Sequence, residues 1–495
     1  MLTRPPAAID AATWREYLAF CAMPSDAIVP ADIQRNAAWL VDACARRALD
    51  ARLLANGDVP MVYAAWPRVR TELPTILFYA HFDAQPVVAE AWSQPDPWTP
   101  VLKERALDGT WRTIPAERLF DAQPDPEWRV FGRAAADDKG PIVMLLAALD
   151  ALRSAGAEPC VNVKILLDSE EEQGSPSIAG VLARERALLA ADAMVVNDGP
   201  MHASRRPTLV YGNRGVVTAT LTVWGPARAL HSGHYGNAVA NPAERLAALI
   251  ASLKDEDGRV RIPGYYDGVA IDGDARAMLD AVPDDEDVLT RELGVASLQR
   301  GVGATLQDAL QYPSLNVRGL AAGATGRRAA TIVPDRAVAE FDLRTIPEIE
   351  PERAPALIRD WLAAHGYLVL DRPPTDAERA AHERIATWTV RPGGVAARTA
   401  PGAAVGRWVR AALRDAFGGE PVAIRTMGGT VPTGEIAAQL GVPFTILPLA
   451  NADDNQHTHD ENLRVGNMLD GVRALVTLLT TPYPGYGRCA STSSA

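Results

Sequence analysis

The stretch Asp168-Ser169-Glu170-Glu171-Glu172-Gln173-Gly174-Ser175 follows an apolar run at residues 161–167. The apolar run predicts a buried strand, so the acidic residues would lie where that strand ends. Carboxylates gathered this closely repel one another unless water, counter-ions or a metal offset their charge. An acidic loop in water is the commoner explanation of such a run, and the rest of the chain decides between the two.

Strand-like and helix-like segments alternate on both sides of this stretch. Residues 75–80 predict a buried strand, residues 142–152 a helix and residues 193–196 a further strand. This order predicts an α/β fold with a mostly parallel sheet and helices on both faces. Ligand sites in such sheets lie at the carboxyl ends of the strands. The residues expected along that rim are His81, Asp137, Glu171, Glu172 and Asp198.

Asp137 and Asp138 stand just before the predicted helix. Aspartate is a favoured N-cap residue, so helix capping is the structural alternative for this pair. One carboxylate is enough for a cap. The second would then be free for another role.

The chain changes character after Arg214 and again near Gly394. Between these points, alternating strands and two helices predict an inserted α+β domain. We therefore predict one domain in two parts, residues 1–214 and 395–481, interrupted by an inserted domain at residues 215–394. Residues 482–495, rich in Gly, Pro and Ser, are expected to form a flexible tail.

Composition narrows the class of protein. The chain has 495 residues, which is too long for one ordinary core, and a net charge of -12, which disfavours nucleic acid or an anionic membrane as partner. It has no apolar run of the roughly 18 residues that a membrane span needs, and its first residues do not resemble a signal peptide. Its four cysteines show neither close pairing nor zinc-type spacing, so we expect free thiols and a cytoplasmic protein.

Histidines and carboxylates spread over a long chain suit cations such as Zn²⁺ or Mn²⁺. The relevant motifs are, in chain order, His81-x-Asp83, Gly132-Arg133, Asp137-Asp138-Lys139-Gly140, Glu171-Glu172-x-Gly174-Ser175, Asp198, His231-Ser232-Gly233 and Asp453-Asp454-x-x-His457-x-x-x-Glu461-Asn462. Together they resemble the co-catalytic metallopeptidase family of carnosinase-like dipeptidases, aminoacylases, glutamate carboxypeptidase and succinyl-diaminopimelate desuccinylase. Gln85-Pro86, shortly after His81, favours the dipeptidase branch.

This resemblance implies a centre with two divalent metal ions bridged by Asp137. His81 and Asp198 would complete one metal site, and Glu172 and His457 the other. Zinc is the expected metal, although manganese and cobalt share these ligands.

The resemblance also implies the catalytic groups. Asp83 would orient the His81 ring, and Glu171 would act as general base towards a water held between the cations. By the same resemblance, residues 1–214 and 395–481 would be the catalytic domain and residues 215–394 a lid and dimerisation domain. The lid would form a homodimer interface, from which His231 would stabilise the oxyanion in the partner's site. The alternative for His231 is a turn cap at Ser232-Gly233.

The expected reaction is hydrolysis of an amide bond in a dipeptide or N-acyl amino acid with a free carboxylate. The residues that would bind this substrate are Arg344, Thr331, Gly429 and Thr430. A salt bridge on the lid surface is the alternative role for Arg344.

The sequence departs from the dipeptidase branch in the substrate pocket. Met427 stands where the branch has a glutamate, Arg425 is displaced by one position, and a histidine expected shortly before Val405 is missing. An amidohydrolase acting on a non-peptide acyl or carbamoyl derivative is therefore an alternative. A non-catalytic binding protein on the same fold is a further one, against which the complete set of ligands and base speaks.

Overall fold

The computed structural model describes residues 9–486. The strands in this part of the chain are, in order, β1 (Asp50–Leu54), β2 (Met61–Ala65), β3 (Thr75–His81), β4 (Val101–Arg105), β5 (Trp111–Ile114), β6 (Arg129–Phe131), β7 (Asn162–Asp168), β8 (Ala193–Val196), β9 (Thr208–Val210), β10 (Gly212–Asn213), β11 (Gly215–Trp224), β12 (Leu230–His231), β13 (Ser314–Ala321), β14 (Ile332–Val333), β15 (Arg336–Thr345), β16 (Leu368–Leu370), β17 (Ile385–Pro392), β18 (Ala397–Arg398), β19 (Val422–Ile424), β20 (Phe444–Ile446) and β21 (Asn462–Arg464).

The α-helices are α1 (Ala11–Cys21), α2 (Pro30–Arg46), α3 (Lys139–Ser154), α4 (Ile178–Arg184), α5 (Arg186–Leu189), α6 (Ser232–Tyr235), α7 (Pro242–Leu253), α8 (Gly273–Asp280), α9 (Glu286–Leu293), α10 (Leu306–Ala309), α11 (Arg353–Ala364), α12 (Asp376–Ala381), α13 (Ala404–Phe417), α14 (Thr433–Leu440) and α15 (Val465–Thr480). Short 3₁₀ helices lie at Ala89–Ala91, Ala116–Phe120, Glu171–Gln173 and Gly326–Arg328. No helix within residues 9–486 combines the length and apolar character needed to cross a bilayer.

An eight-stranded sheet in the order β1-β2-β7-β3-β8-β20-β9-β19 forms the larger layer. Its four central strands, β7, β3, β8 and β20, run parallel to one another. Antiparallel pairs flank them on both sides. This arrangement confirms the predicted mostly parallel α/β fold.

Strand β3 shows why the sheet is covered on both faces. Its residues Ile76, Phe78 and Ala80 belong to one apolar core, and Leu77 and Tyr79 belong to another. Successive side chains of a strand point to opposite faces, so a strand buried on both sides must be apolar throughout. The first core also contains side chains from α1, α2, α3, α13 and α15, and the second contains side chains from α4 and α14.

A second sheet has five strands in the order β13-β15-β11-β17-β16. Strand β11 comes first in the chain, and the other four lie within residues 314–392. Strand β11 alternates between buried and partly buried residues, as expected when only one face of a sheet is covered. Its inward residues pack with side chains of α7 and α11. These strands fall within the predicted insertion at residues 215–394, whose limits stay a prediction.

A smaller sheet in the order β21-β6-β4-β5 was not predicted. Its pairing of Phe131 with Asn462 brings two distant parts of the chain together. The loop that carries Asp137 and the loop that carries His457 are therefore neighbours.

The prediction of free thiols holds for Cys21 and Cys44, which are buried and unpaired, but it is wrong for Cys160, which is disulfide-bonded. Of the predicted flexible tail, Tyr483 is buried and its ring lies 5.4 Å from that of Trp408. Residues 487–495 lie outside the described part of the chain.

Candidate metal centre and active site

Three neighbouring parallel strands deliver side chains to one edge of the large sheet. His81 is the last residue of β3 and lies in register with Asp168, the last residue of β7. Glu171 and Glu172 follow β7 in a 3₁₀ turn, and Asp198 comes two residues after the end of β8. The acidic stretch therefore lies at the carboxyl ends of the strands, as the sequence predicted.

Asp137 lies between two imidazole rings. One of its carboxylate oxygens is 2.8 Å from Nε2 of His81, and the other is 3.1 Å from Nε2 of His457. Each oxygen of this carboxylate thus faces a different histidine. A bridging ligand needs this arrangement.

The remaining predicted ligands complete two groups around Asp137. His81, Asp137 and Asp198 form one group, and Asp137, Glu172 and His457 form the other. Within each group the atoms able to bind a metal lie within 4.8 Å of one another. The structure thus brings the five predicted residues together, while their role as ligands stays a prediction.

Asp83 is fully buried and holds the acidic turn in place. Its carboxylate accepts hydrogen bonds from the backbone nitrogens of Glu171 at 3.1 Å and Glu172 at 3.0 Å. One of its oxygens also lies 3.4 Å from Nδ1 of His81. Asp83 therefore contacts both the turn and the imidazole that it was predicted to orient.

Asp138 does not cap α3, since its side chain makes no capping hydrogen bond. Instead, one carboxylate oxygen accepts a hydrogen bond from the backbone nitrogen of His81 at 3.2 Å. The capping alternative for this pair is therefore absent, and Asp138 joins its loop to the end of β3.

The charges in this cluster shift several pKa values. Burial raises the pKa of Asp198 to about 7, and the negative charges of Asp137 and Glu172 act in the same direction against His81. Hydrogen bonds to Asp137 and Glu172 raise the pKa of His457 to about 11. The pKa of Asp137 is lowered, because hydrogen bonds from both histidines outweigh its burial.

These shifts describe carboxylates that need positive charge nearby. Divalent cations would supply that charge in place of protons, and a mixed set of imidazole nitrogens and carboxylate oxygens suits zinc or manganese. The residues present therefore fit a metal centre.

Glu171 lies beside this cluster and lines the adjoining cleft. Burial raises the pKa of its carboxyl group well above the ordinary value, with the charges of Asp198, Glu172 and Asp83 adding to the effect against His81. A raised pKa suits a group that accepts and returns a proton near neutral pH.

Glu461 and Arg133 belong to the family-like motifs, but the sequence alone assigns no role to them. The buried Glu461 carboxylate accepts hydrogen bonds from the backbone nitrogens of Ala134, Ala136 and Asp137, and it pairs with Arg133 at 2.9 Å. Arg133 also donates to the carbonyl of Thr458, next to His457. The pair thus ties together the two loops that carry Asp137 and His457.

Gln85 is a further residue at the site to which the sequence alone assigns no role, and it contacts Glu172. Its side-chain nitrogen donates to Oε2 of Glu172 at 2.8 Å, and its backbone nitrogen donates to Oε1 of Glu172 at 3.2 Å. Gln85 of the Gln-Pro pair that favours the dipeptidase branch therefore has a local structural effect. It fixes the orientation of the Glu172 carboxylate.

A cleft of about 560 Å³ opens beside the cluster, and it is lined by strand residues of the five-stranded sheet and by loop and helix residues at the carboxyl edge of the large sheet. Arg344 and Thr430 lie on its wall with Glu171 and His457. The guanidinium of Arg344 donates to the Thr430 hydroxyl at 2.9 Å and lies 3.7 Å from Asp342. Arg344 is thus at the cleft as well as near a lid carboxylate.

Gly429 directly precedes Thr430, but His231 and Thr331 are exposed and do not line this chain's cleft. They lie side by side, since Ser232 donates its backbone hydrogen bond to Thr331 at 2.9 Å. Nδ1 of His231 accepts a hydrogen bond from the backbone nitrogen of Gly233 at 3.1 Å, so the turn-capping contact is present.

Arg425, the displaced arginine, does not reach the cleft. It contacts Gln311 and lies 3.2 Å from Glu348, which also pairs with Arg398. These contacts join the inserted segment to β19 and β18. Arg425, at which the sequence departs from the dipeptidase pattern, thus makes a structural contact between the two parts of the fold.

The fold is a mostly parallel α/β sheet with an inserted second sheet. Imidazoles and carboxylates cluster at the carboxyl ends of its strands. Together these features are those of a metal-dependent hydrolase. The chain belongs to peptidase family M20/M25/M40, whose family model matches residues 77–481. The predicted enzyme class and family are confirmed.

Two curated relatives are dipeptidases. The chain is 28% identical over 416 residues to the Cys-Gly metallodipeptidase dug1 of Schizosaccharomyces pombe, covering 81% of this chain and 79% of that protein. It is 26% identical over 410 residues to the Beta-Ala-His dipeptidase of Mus musculus, covering 81% and 75%. These likenesses agree with the predicted dipeptidase branch.

Solved structures share the fold over most of its length. The M20 family metallo-carboxypeptidase Sso-CP2 from Sulfolobus solfataricus superposes with a TM-score of 0.77 at 25% identity, covering 94% of this chain and 98% of that chain. Human carnosine dipeptidase 1 superposes with a TM-score of 0.72 at 20% identity, covering 94% and 96%.

Proposed function

We propose that the protein hydrolyses dipeptides with a free C-terminal carboxylate, with N-acyl amino acids as the next substrate class. The observation that carries the proposal is Asp137, whose two carboxylate oxygens face His81 and His457 on opposite sides. The two dipeptidase relatives support the choice of substrate.

The chain's own residues suit the binding of two divalent ions, expected to be zinc. Asp137 would be shared, with His81 and Asp198 on one side and Glu172 and His457 on the other. When bound, such ions polarise a carbonyl group and lower the pKa of water. Asp83 keeps the acidic turn and the His81 ring in fixed positions for this set.

Glu171 would take the proton from the attacking water and pass it to the leaving amine. Its raised pKa supports this role, since a carboxylate with an ordinary pKa would be a weaker base at neutral pH. The bond between the carbonyl carbon and the amine nitrogen breaks as that nitrogen receives the proton.

Arg344 and Thr430 would bind the substrate's terminal carboxylate, because a guanidinium donates two parallel hydrogen bonds to one carboxylate. Gly429, next to Thr430, would leave room for the peptide. The same cleft of about 560 Å³ extends from Arg344 and Thr430 to Glu171 and His457 beside the metal cluster. Its size suits a dipeptide.

The lid at residues 215–394 would form a homodimer interface. His231 and Thr331 are exposed neighbours on one edge of the lid, so they are available to a partner's cleft. In a symmetric dimer each His231 would serve the other subunit's site and stabilise the oxyanion there.

A cytoplasmic location was predicted from the sequence. The disulfide at Cys160 weighs against it, because stable disulfides are uncommon in the cytosol. Fractionation of cells that express the tagged chain would decide the location.

Hydrolysis screening tests the proposed function. The purified chain is stripped with a chelator, supplied with zinc, manganese or cobalt, and assayed on dipeptides, N-acetyl and N-succinyl amino acids, and N-carbamoyl amino acids. We expect metal-dependent release of the C-terminal amino acid from dipeptides. Turnover restricted to the carbamoyl compounds would overturn the proposed substrate class, and metal binding without turnover of any compound would favour a binding protein.

A further inference from the structure

A second cavity of about 300 Å³ lies within the lid region, apart from the metal cluster. Two basic side chains, Arg214 and Lys254, lie on its wall. The rest of the wall includes the apolar side chains of Val260, Leu310 and Leu315. The cavity is therefore amphipathic, with positive charge at one part and apolar surface elsewhere.

These two cations lack carboxylate partners in the part of the chain that the structure describes. The ammonium of Lys254 has no hydrogen-bond partner there, and the guanidinium of Arg214 makes only a long hydrogen bond of 3.4 Å, to the carbonyl of Gly428. Neither forms an ion pair within residues 9–486. Partly buried cations are usually paired, because removal from water without a partner costs free energy.

Positive charge exceeds negative charge around this cavity. Arg344 stands close enough to lower the pKa of Arg214, and Asp342 is the carboxylate whose charge reaches both Arg214 and Lys254. Asp342 is already engaged by the amide of Asn316 at 2.9 Å and by Arg344. Asp257, also on the wall, is exposed to water.

The pKa values of Arg214 and Lys254 are lowered, in agreement with the excess of positive charge around the cavity. Burial and the charge of Arg344 lower the pKa of Arg214 to about 10, and burial lowers the pKa of Lys254. Bringing a negative group into the cavity would reverse both effects.

The cavity adjoins the substrate end of the cleft. Arg344 on β15 has Ser314 and Val216 as its cross-strand neighbours, and Ser314 lines the lid cavity while Val216 lines the cleft. The carbonyl of Arg214 also accepts a hydrogen bond from the Thr430 hydroxyl at 2.8 Å. A ligand in the lid cavity would thus lie next to the residues proposed to hold the substrate's carboxylate.

We propose that the lid cavity is an anion-binding site, in which Arg214 and Lys254 bind the carboxylate of a small organic acid whose apolar part packs against Val260, Leu310 and Leu315. The acid has two sources with the same chemistry. It is either the side chain of an acidic C-terminal residue of the substrate, which rests on the proposed function, or a separate organic acid.

The binding experiment uses the chain's four lysines as probes. The lysines are dimethylated with ¹³C formaldehyde, which keeps their charge, and the Lys254 signal is assigned by its loss in Lys254→Gln. Hexanoate is titrated against its neutral isostere hexanamide. We expect a saturable shift of the Lys254 signal with hexanoate and none with hexanamide. No shift, or an equal shift with both compounds, would overturn the proposal.

Affinity measured by calorimetry provides the mutational test. Lys254→Gln should weaken hexanoate binding about tenfold or more, the usual effect of losing one charge-assisted hydrogen bond. Lys164→Gln is the matched control, because Lys164 lies on β7 in the large sheet and donates to the carbonyl of Ala190. Equal weakening in both variants would contradict a role for the cavity.

Turnover of Ala-Glu against Ala-Gln separates the two sources of the acid. If the substrate supplies it, the wild type prefers Ala-Glu in kcat/KM and Lys254→Gln loses that preference. If a separate acid binds, the ratio is unchanged by Lys254→Gln while the hexanoate shift of the wild type remains. Because the shift is measured without turnover, failure of the proposed peptidase activity would leave it intact.

Discussion

The backbone nitrogen of Asp137 donates a hydrogen bond to the carboxylate of Glu461 at 3.0 Å, across 324 positions of sequence. Glu461 also pairs with the buried Arg133, so Glu461→Gln would leave that guanidinium without its counter-charge. We expect the variant to lose about 3–5 kcal/mol of unfolding free energy. Its metal affinity should fall about 10–100-fold, as for other groups that position metal ligands.

Chemical denaturation and metal titration would measure these two effects. Asp460→Asn is the control, because Asp460 is only partly buried and, within residues 9–486, its carboxylate accepts hydrogen bonds from Ser93 alone, through the backbone nitrogen and the hydroxyl. Wild-type stability and metal affinity in Glu461→Gln would show that this long-range contact does not position Asp137.

Glu171→Gln tests the general base. The substitution keeps the size of the side chain but removes its ability to take a proton, so turnover should fall on the order of a hundredfold to ten-thousandfold. Metal content should stay near that of the wild type, because Glu171 is not among the proposed ligands. Glu435→Gln, a change to another carboxylate on the same cleft, should leave kcat nearly unchanged. Full activity of Glu171→Gln would remove the assignment.

Arg344→Lys tests recognition of the substrate's carboxylate. Loss of a bidentate contact should lower kcat/KM for Ala-Leu by about 10–100-fold, which corresponds to about 1.5–3 kcal/mol. The amidated peptide Ala-Leu-NH₂ should be much less affected, since it offers no carboxylate. The control Arg391→Lys changes another arginine that donates to a threonine hydroxyl, that of Thr220, but on the lid surface. An equal loss with both peptides would place Arg344 in a structural role.

The proposed action of His231 across a dimer interface predicts complementation between inactive subunits. His231→Gln and Glu171→Gln should each be nearly inactive alone. Mixed subunits that exchange should regain up to about a quarter of wild-type activity, because half of random dimers are hybrids with one complete site out of two. A mixture that stays inactive, although hybrids are detected by native mass spectrometry, would contradict action across the interface.

Glu16 contributes to the way in which the free energy of unfolding changes at acid pH. Burial raises the pKa of Glu16, but Arg47 and Arg46 outweigh that effect and leave the pKa below its ordinary value. The folded state therefore holds fewer protons at this site than the unfolded state. The resulting stability is present above about pH 4.5 and is lost as the pH falls further.

Thermal unfolding of Glu16→Gln at pH 7 and pH 4 checks this. At pH 7 the variant should be destabilised by about 1.5–3 kcal/mol, because the buried Arg47 loses one of its two carboxylate partners and keeps only Asp150. The difference from wild type should shrink at pH 4. Asp121→Asn, which removes an exposed pair with Arg118, should have almost no effect at either pH. A pH-independent loss in Glu16→Gln would contradict the ion-pair explanation.

The arrangement of strand ends was predictable because it depends on local pattern. Apolar runs predict β3 and β7, and parallel strands in an α/β sheet place their carboxyl ends on one edge, so His81 and Glu172 had to be near each other. The contacts of Glu461 and Gln85 were not predictable in this way. They depend on where distant loops meet, and a hydrogen bond across 324 positions has no local sequence signal.

The small sheet was missed for a related reason. Strands β4 and β5 carry several charged residues and little apolar alternation. They become strands through pairing, β4 with β6 and β5 with β4, rather than through a recognisable apolar face. The positions of His231 and Thr331 likewise depend on tertiary structure. Their motifs predicted a site, whereas the fold leaves them exposed on the lid.

Metal content measured by mass spectrometry after dialysis against zinc tests whether Asp137 is shared between two metal sites. We predict two zinc ions per wild-type chain and fewer than one in Asp137→Ala, because both proposed sites share that carboxylate. His365→Ala, a histidine of the lid whose ring nitrogen contacts the carbonyl of Trp361, should keep two. A wild-type chain without stoichiometric zinc, or an Asp137→Ala variant that keeps both ions, would contradict a two-metal centre that shares Asp137.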